Sequence, residues 1–291
     1  RFDRGASCLC LCRVVLSDMG LFSSAPDEEQ QKACLAALAA AFPDVSERTR
    51  KQYAASHKFK PDKASKALGE SEKWRAETLP RAPGPDGSDG AAAASLLFTH
   101  RGFDHHGRPV FLYYGSSFAP KKWDADAVML GVVHTLEAGF AAADAKDPTN
   151  DGCCVIIFLM DGGTKLDMGL AKQAPRRKRR KTPEPPHAWQ SCSREFSRLV
   201  GAHYPGRAYK ALIYPGTPLA TRLWAVARLF FSSEIGEKVV LVKQKVEGRK
   251  TFEEHLPEET LSLVGIDSWD KVPWGSDPDR DGAPACDADA G

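Results

Sequence analysis

The sequence predicts an α/β fold with a mainly parallel sheet, and two observations support this. Its short apolar runs are continuous rather than alternating, which is typical of strands covered on both faces. Helix-sized segments separate the runs, and a βαβαβαβ order favours a parallel sheet with right-handed crossovers. The predicted strands are VFLYY at 110–114, CCVIIFLM at 153–160, ALIY at 211–214 and VVLV at 239–242, and the predicted helices between them are 124–143, 189–202 and 219–232.

A small helical module precedes the predicted sheet. Its first helix starts after Asp27 and ends before Pro43, because apolar residues recur there at helical spacing (Leu35, Leu38, Ala39 and Phe42). A second helix is expected over 47–57. A third opens at Pro61, a residue suited to a first helical turn, and runs to Leu79.

Composition divides the chain into four regions, with a linker between the second and the third. Residues 1–25 are expected to be a disordered or unassigned tail, and residues 26–80 form the helical module. The stretch PRAPGPDGSDG at 80–90 has the proline, glycine and aspartate content of a linker. Residues 95–270 form the α/β domain, and the acidic, small-residue-rich stretch 271–291 is expected to be disordered.

The totals exclude several classes of protein. The chain has 291 residues, enough for a sizeable core, and a net charge of only +2, which gives no support for nucleic-acid binding. Its longest apolar runs fall far short of the roughly 20 residues that a membrane-spanning helix requires. The eight cysteines contain no C-x2-C pair, so we expect reduced, mostly buried thiols in a cytoplasmic protein, with no metal site.

The sequence lacks the motifs of common enzymes. It has no phosphate-binding P-loop, no dinucleotide fingerprint after a strand, no H-E-x-x-H and no G-x-S-x-G nucleophile elbow. His105 and His106 lie in FDHHGRP, which predicts an exposed turn between strands, and Asp161 heads a glycine turn that it can cap. We therefore expect a protein that is not an enzyme; an α/β hydrolase is the disfavoured alternative.

The predicted helix at 219–232 is apolar on more than one side. A surface helix needs only one apolar stripe, so this helix must find apolar partners in two directions. One partner is the protein core, and the other is more core, an apolar ligand or a membrane. The residues concerned are Leu219, Leu223, Trp224, Val226, Ala227, Leu229, Phe230 and Phe231.

A basic insertion interrupts the α/β pattern at 174–186. Six consecutive basic residues, Arg176 to Lys181, stand between proline-rich flanks and cannot join a core. Three interpretations remain open: a solvated loop, a nuclear-localisation signal, or a contact with anionic lipid headgroups.

Several segments, in this order along the chain, resemble the CRAL-TRIO lipid-binding family of the phosphatidylinositol-transfer type. They are KFKPDKASKALGESEKWR at 58–75, FDHHGRPVFLYYG at 103–115, VIIFLMDGG at 155–163, HYPGRAYKALIY at 203–214, LWAVARLFFSSEIGEKVV at 223–240 and FEEHLPEETL at 252–261. The resemblance implies a sheet that floors a lipid pocket within 95–270, with 219–232 as its mobile gate.

The resemblance also implies a headgroup site. In phosphatidylinositol-binding members a glutamate ten residues before the motif proline and a lysine on the gate helix hold the headgroup, and these positions are Glu195 and Arg228 here. A carboxylate suits inositol hydroxyls, and a cation suits a phosphate. The family's RFLRARKF segment, which contributes another headgroup arginine, is QYAASHKF at 52–59.

The function predicted is therefore binding and exchange of a phospholipid, with phosphatidylinositol the first candidate, or its presentation to lipid-modifying enzymes. No cofactor other than the bound lipid is expected. A monomer that touches membranes transiently, and that reaches the nucleus if the basic loop directs it there, fits this prediction. The alternatives are a carrier of a tocopherol or retinoid, or a lipid-sensing scaffold that docks through the basic loop.

Overall fold

A computed structural model describes residues 27–81, 97–114, 124–159, 188–216, 233–243 and 245–265, together with Ala94, Thr221 and Trp224. Both predicted tails, the basic run Arg176 to Lys181 and the turn at Asp161 lie outside the described residues. So do most of the residues predicted for the gate: Leu219, Leu223, Ala227, Arg228, Phe230 and Phe231.

The helical module forms where the sequence predicts it. It contains α1 (Glu28–Ala41), α2 (Glu47–Ser56) and α3 (Pro61–Thr78). The Asp27 side chain accepts a hydrogen bond from the Gln30 N–H at 2.6 Å and caps α1, while Ser46 caps α2 in the same way. Apolar side chains from the three helices make a core of their own, formed by Cys34, Leu38, Tyr53, Ala54, Ala64 and Leu68.

The described part of the α/β domain contains a five-stranded sheet with the spatial order β1-β2-β3-β4-β5. Its strands are β1 (Phe98–Phe103), β2 (Pro109–Tyr114), β3 (Cys154–Leu159), β4 (Ala208–Tyr214) and β5 (Val239–Leu241). The pair β1 and β2 is antiparallel, and the other three pairs are parallel. This confirms the predicted α/β class with a mainly parallel sheet.

The turn between β1 and β2 explains the FDHHGRPV segment. The Asp104 carboxylate accepts hydrogen bonds from the backbone N–H groups of His106 and Arg108, both at 2.8 Å, and Gly107 takes a φ of 77°. The Arg108 guanidinium also pairs with Asp104 at 3.2 Å. His105 and His106 are exposed, as predicted, so this motif builds a hairpin turn.

Five helices complete the described part of the domain: α4 (Ala125–Lys146), α5 (Ala188–His203), α6 (Ser233–Lys238), α7 (Lys245–His255) and α8 (Glu258–Val264). By length and composition alone α4 could cross a membrane, but half of its most apolar stretch is buried. It packs against β1, β2 and α5, which is the behaviour of a core helix.

Candidate functional site

The sheet has two apolar faces, because successive side chains of a strand point in opposite directions. Tyr113, Phe158 and Ile213 lie on the face covered by α4 and α5, which we call the α4/α5 face. Leu112, Ile157 and Leu212 lie on the opposite face, where they pack with residues of α7 and α8, and we call this the α7/α8 face.

On the α4/α5 face, one row of apolar side chains crosses the carboxyl ends of the parallel strands. The strand register places Tyr113 beside Phe158, Phe158 beside Ile213, and Ile213 beside Leu241. The rings of Tyr113 and Phe158 lie 5.4 Å apart between centres, and Phe196 of α5 stands 5.0 Å from Tyr113. Ligands of parallel α/β sheets gather at this end of the strands.

Trp224 lies in the connection between β4 and β5. It is helical and half-buried, and it packs against the core cluster of the α4/α5 face. Right-handed connections between neighbouring parallel strands keep to one face of a sheet, and this position agrees with that rule. Trp224 is thus the one predicted gate residue that the structure describes, and it packs against the apolar cluster that contains the predicted floor.

Glu195 lies on α5, one residue before Phe196. Phe196 is completely buried, whereas the Glu195 side chain is 38% exposed, so Glu195 stands at the outer edge of α5. It accepts a charged hydrogen bond from Arg198 Nε at 2.9 Å. Because Arg228 lies outside the described residues, the pairing of Glu195 with Arg228 across a headgroup stays a prediction.

A polar clamp fixes the helical module to the α/β domain. Arg75 of α3 donates two hydrogen bonds to the Glu137 carboxylate of α4, at 2.9 and 2.8 Å. The Tyr204 hydroxyl, just after α5, donates to the same carboxylate at 2.7 Å. Burial raises the pKa of Tyr204, and the negative charge of Glu137 raises it further, so the phenol remains a donor. Three helices are therefore tied through Glu137.

A second contact ties α2 to the end of α4. The Arg48 guanidinium donates to both oxygens of Asp144 at 2.8 Å, and the Asn150 amide donates to the same carboxylate at 2.8 Å. Gln52 donates to the backbone carbonyls of Asp151 and Gly152, both at 3.3 Å. Gln52 begins the segment 52–59, where the CRAL-TRIO family has a headgroup arginine. In this protein the Gln52 side chain joins α2 to the α/β domain.

His203 and Trp74 form a stacked pair between α5 and α3. Their ring centres are 3.8 Å apart with an angle of 10° between the planes. Burial lowers the pKa of His203 to about 4, and the nearby positive charges of Arg198 and Arg75 contribute. The imidazole is therefore neutral near pH 7, which suits its place against an indole ring.

Sequence reasoning missed the clamp residues Arg75, Glu137 and Tyr204 as partners. Arg75 ends the segment 58–75 and Tyr204 lies near the start of the segment 203–214, so both belong to segments that resemble the family. Their common partner Glu137 carries no local signal, because 62 residues separate it from Arg75 in the chain. A contact of that kind is visible only in the folded protein.

Neither metal chemistry nor reactive thiols emerge among the described residues. No group of three histidine, cysteine, aspartate or glutamate side chains in this part of the chain could hold a metal ion. Cys34, Cys153 and Cys154 are free thiols. Burial raises the pKa of Cys153 to about 11, which keeps this thiol protonated and a poor nucleophile.

Comparisons with known proteins support the fold only. No family model matches the chain, and no curated protein matches it. Among solved structures 33 chains match, including the crystal structure of Sfh5, which is 11% identical with a TM-score of 0.50. The alignment covers 75% of this chain and 81% of the Sfh5 chain. The likeness agrees with the CRAL-TRIO-like architecture that the sequence implies.

Proposed function

We propose that this protein binds a phospholipid on the α4/α5 face of its sheet and exchanges it at membrane surfaces. Phosphatidylinositol is the first candidate lipid, and presentation of the lipid to a modifying enzyme is part of the same proposal. The fold agrees with the proposal, because the Sfh5 structure has the same overall architecture that the CRAL-TRIO resemblance implies. We propose no catalytic step and no cofactor beyond the lipid.

The observation that carries the proposal is the apolar row at the carboxyl end of the sheet, on the face where Trp224 packs. Tyr113, Phe158, Ile213 and Leu241 form an aromatic and aliphatic floor at the carboxyl end of the sheet, and Trp224 packs on the same cluster. An acyl chain gains about 0.8 kcal/mol for each methylene removed from water, so such a floor suits lipid tails.

Exchange requires a membrane, because the bilayer offers an acyl chain the same burial as the protein does. The net free energy of extraction is therefore small, and the barrier lies in crossing water. A segment that covers the lipid in solution and opens toward the bilayer removes that barrier. We assign this role to residues 219–232, whose two-sided apolarity lets Phe230 and Phe231 touch protein in one state and lipid in the other.

At the headgroup end, we propose that Glu195 and Arg228 hold the inositol phosphate. Glu195 is the residue before the buried Phe196 on α5, and its side chain is 38% exposed, so a ligand can reach its carboxylate. Its present partner is the exposed Arg198, and an exposed pair of this kind is weak enough to be exchanged for a ligand.

Vesicle-to-vesicle transfer of labelled phosphatidylinositol tests the exchange step. The double variant Phe230→Asp with Phe231→Asp is expected to lose both transfer and vesicle binding, because two carboxylates cannot enter the bilayer interface. Leu263→Asp is the matched control, since Leu263 is 57% exposed on α8 and lies away from Trp224. Unchanged transfer by the double variant would contradict the gate assignment.

Two further experiments distinguish the alternative ligands and the alternative roles. A tocopherol or retinoid carrier would transfer those molecules and would be indifferent to Glu195→Ala, which removes only a headgroup contact. Deletion of residues 174–186 leaves transfer intact if the basic loop serves as a dock or a localisation signal. It slows transfer from anionic vesicles if the loop binds their headgroups.

A further inference from the structure

Arg207 is held firmly just before β4, near the contacts that join the helical module to the α/β domain. Its backbone carbonyl accepts a hydrogen bond from the Cys154 N–H at 2.7 Å, and its own N–H donates to the Tyr204 carbonyl. The guanidinium lies over the Phe140 ring, 4.5 Å from the ring centre. The backbone and this stacking contact together fix the position of the charged group.

The carboxylates near Arg207 are already engaged by other arginines. Glu137 is bound by both terminal nitrogens of Arg75 and by the Tyr204 hydroxyl. Asp144 is bound by Arg48 and by the Asn150 amide. No hydrogen bond or ion pair joins the Arg207 side chain to an acceptor anywhere in the part of the chain that the structure describes.

Arg207 adds a third guanidinium to those of Arg48 and Arg75, and the two carboxylates that interact with it, Glu137 and Asp144, are already bound by those arginines. A third carboxylate, Glu72, interacts with Arg75. Burial lowers the pKa of Arg207, the Glu137 carboxylate opposes this shift, and the charges of Arg75 and Arg48 lower the pKa further. A guanidinium stays charged at neutral pH even so, and its five N–H donors need acceptors.

We propose that Arg207 is the centre of a binding site for a small oxyanion, a phosphate group above all, at the junction of the helical module and the α/β domain. A phosphate would accept two parallel hydrogen bonds from the planar guanidinium and offset its charge. The phosphate belongs either to a soluble phosphate ester or to a phospholipid headgroup. The site uses neither Glu195 nor Arg228, so its test does not depend on the proposed lipid exchange.

Inorganic phosphate is the first probe, and thermal unfolding is the readout. Phosphate stabilises many proteins by exclusion from their surface, so titrations at matched ionic strength with chloride must be compared between variants. We expect a saturable rise in the melting temperature of the wild type that is absent in Arg207→Gln. Arg81→Gln, which removes an exposed charge, keeps the full rise. Equal responses of wild type and Arg207→Gln would overturn the proposal.

Calorimetric titration gives the size of the effect and guards against misfolding of a variant. We expect Arg207→Gln to weaken phosphate binding about tenfold or more, the usual cost of losing charged hydrogen bonds. Arg207→Lys keeps the charge but loses the fork and is expected to recover part of the affinity. Saturable binding that is identical in all three proteins would place the phosphate elsewhere and refute the site.

Vesicles distinguish the two sources of phosphate. Phosphatidylcholine vesicles with and without phosphatidylinositol are mixed with protein that has been saturated, or not, with inorganic phosphate. Competition between phosphate and the vesicles, abolished by Arg207→Gln, assigns the site to a lipid headgroup. Phosphate binding without competition assigns it to a soluble ester. Failure of lipid transfer with phosphate binding intact would refute the proposed function and leave this site standing.

Discussion

The two faces of the sheet are both apolar, yet they are covered differently. On the α7/α8 face, Phe252, Leu256 and Leu261 are fully buried against the strands, and short polar-sided helices carry them. On the α4/α5 face, Leu241 of the apolar row is only partly buried, and so is Trp224, which packs against the same cluster. Under the proposed function, the α7/α8 face serves stability and the α4/α5 face offers its apolar row to a ligand.

The largest expected effect belongs to the α7/α8 face. Phe252→Ala removes a fully buried ring that packs on Tyr214, and it should lower the free energy of unfolding by about 3–5 kcal/mol. Urea denaturation measures this, with the exposed Leu263→Ala expected to stay within about 0.5 kcal/mol of the wild type. Lipid transfer per folded molecule should persist. If folded Phe252→Ala loses transfer, the assignment of lipid binding to the α4/α5 face alone is contradicted.

The clamp that holds α4 and α5 comes next. Glu137→Gln leaves Arg75 and Tyr204 without their charged acceptor, so we expect a loss of about 2 kcal/mol of unfolding free energy. Glu247→Gln, which breaks an exposed pair with Lys243, should not change the unfolding free energy measurably. If Glu137→Gln has the same free energy of unfolding as the wild type, the clamp adds no stability and apolar packing alone holds the helices of the α4/α5 face.

Lowering the pH should reduce the free energy of unfolding, because His203 of α5 resists protonation in the folded protein. Its pKa is about 4 in the folded protein against an ordinary value of 6.5, so the unfolded chain binds the proton more readily. The stabilisation is complete above pH 6.5 and is lost as the pH falls toward 4, by on the order of 1–2 kcal/mol at pH 5. His203→Phe keeps a ring on Trp74 without a titrating group, so its unfolding free energy should fall less between pH 7 and pH 5. Equal falls in both proteins would contradict this.

The smallest effect concerns the edge of the sheet beside the α7/α8 face. The Thr260 hydroxyl of α8 accepts from the Phe103 N–H at 3.2 Å and donates to the Phe103 carbonyl at 2.6 Å. Thr260→Val removes both bonds and should cost about 1 kcal/mol. Thr251→Val removes only a hydroxyl bonded within its own exposed helix turn and serves as the control. Equal denaturation midpoints for the two variants would show that the hydrogen bonds between Thr260 and Phe103 do not stabilise the edge of the sheet.

Much of the fold could be predicted, because its elements carry local signals. The strands β2, β3 and β4 are continuous apolar runs, and the helices of the module have caps or a proline at their first turn. The edge strand β1, FTHRGF, is polar and half-exposed along most of its length, so periodicity gave no sign of it. The helices α7 and α8 are short, and their few apolar residues are buried only because they pack on the sheet in the folded protein. A local pattern does not predict them.

The candidate site was less predictable, for a physical reason. The sequence predicts Trp224 on the gate, and it packs on the α4/α5 face, because topology confines its connection to that face. Family resemblance alone points to Glu195, and its pairing with Arg228 stays a prediction. The clamp around Glu137 and the stacking of Arg207 on Phe140 are contacts between residues 62 to 67 positions apart, which no local pattern encodes.

Mass spectrometry of lipid that co-purifies with the recombinant protein tests the central claim most directly. We predict that phosphatidylinositol accompanies the wild type and is lost from Glu195→Ala, because that carboxylate binds the headgroup. Glu254→Ala, an exposed change on α7, should retain the lipid. A wild-type protein free of any lipid, or equal phosphatidylinositol in all three proteins, would contradict the account.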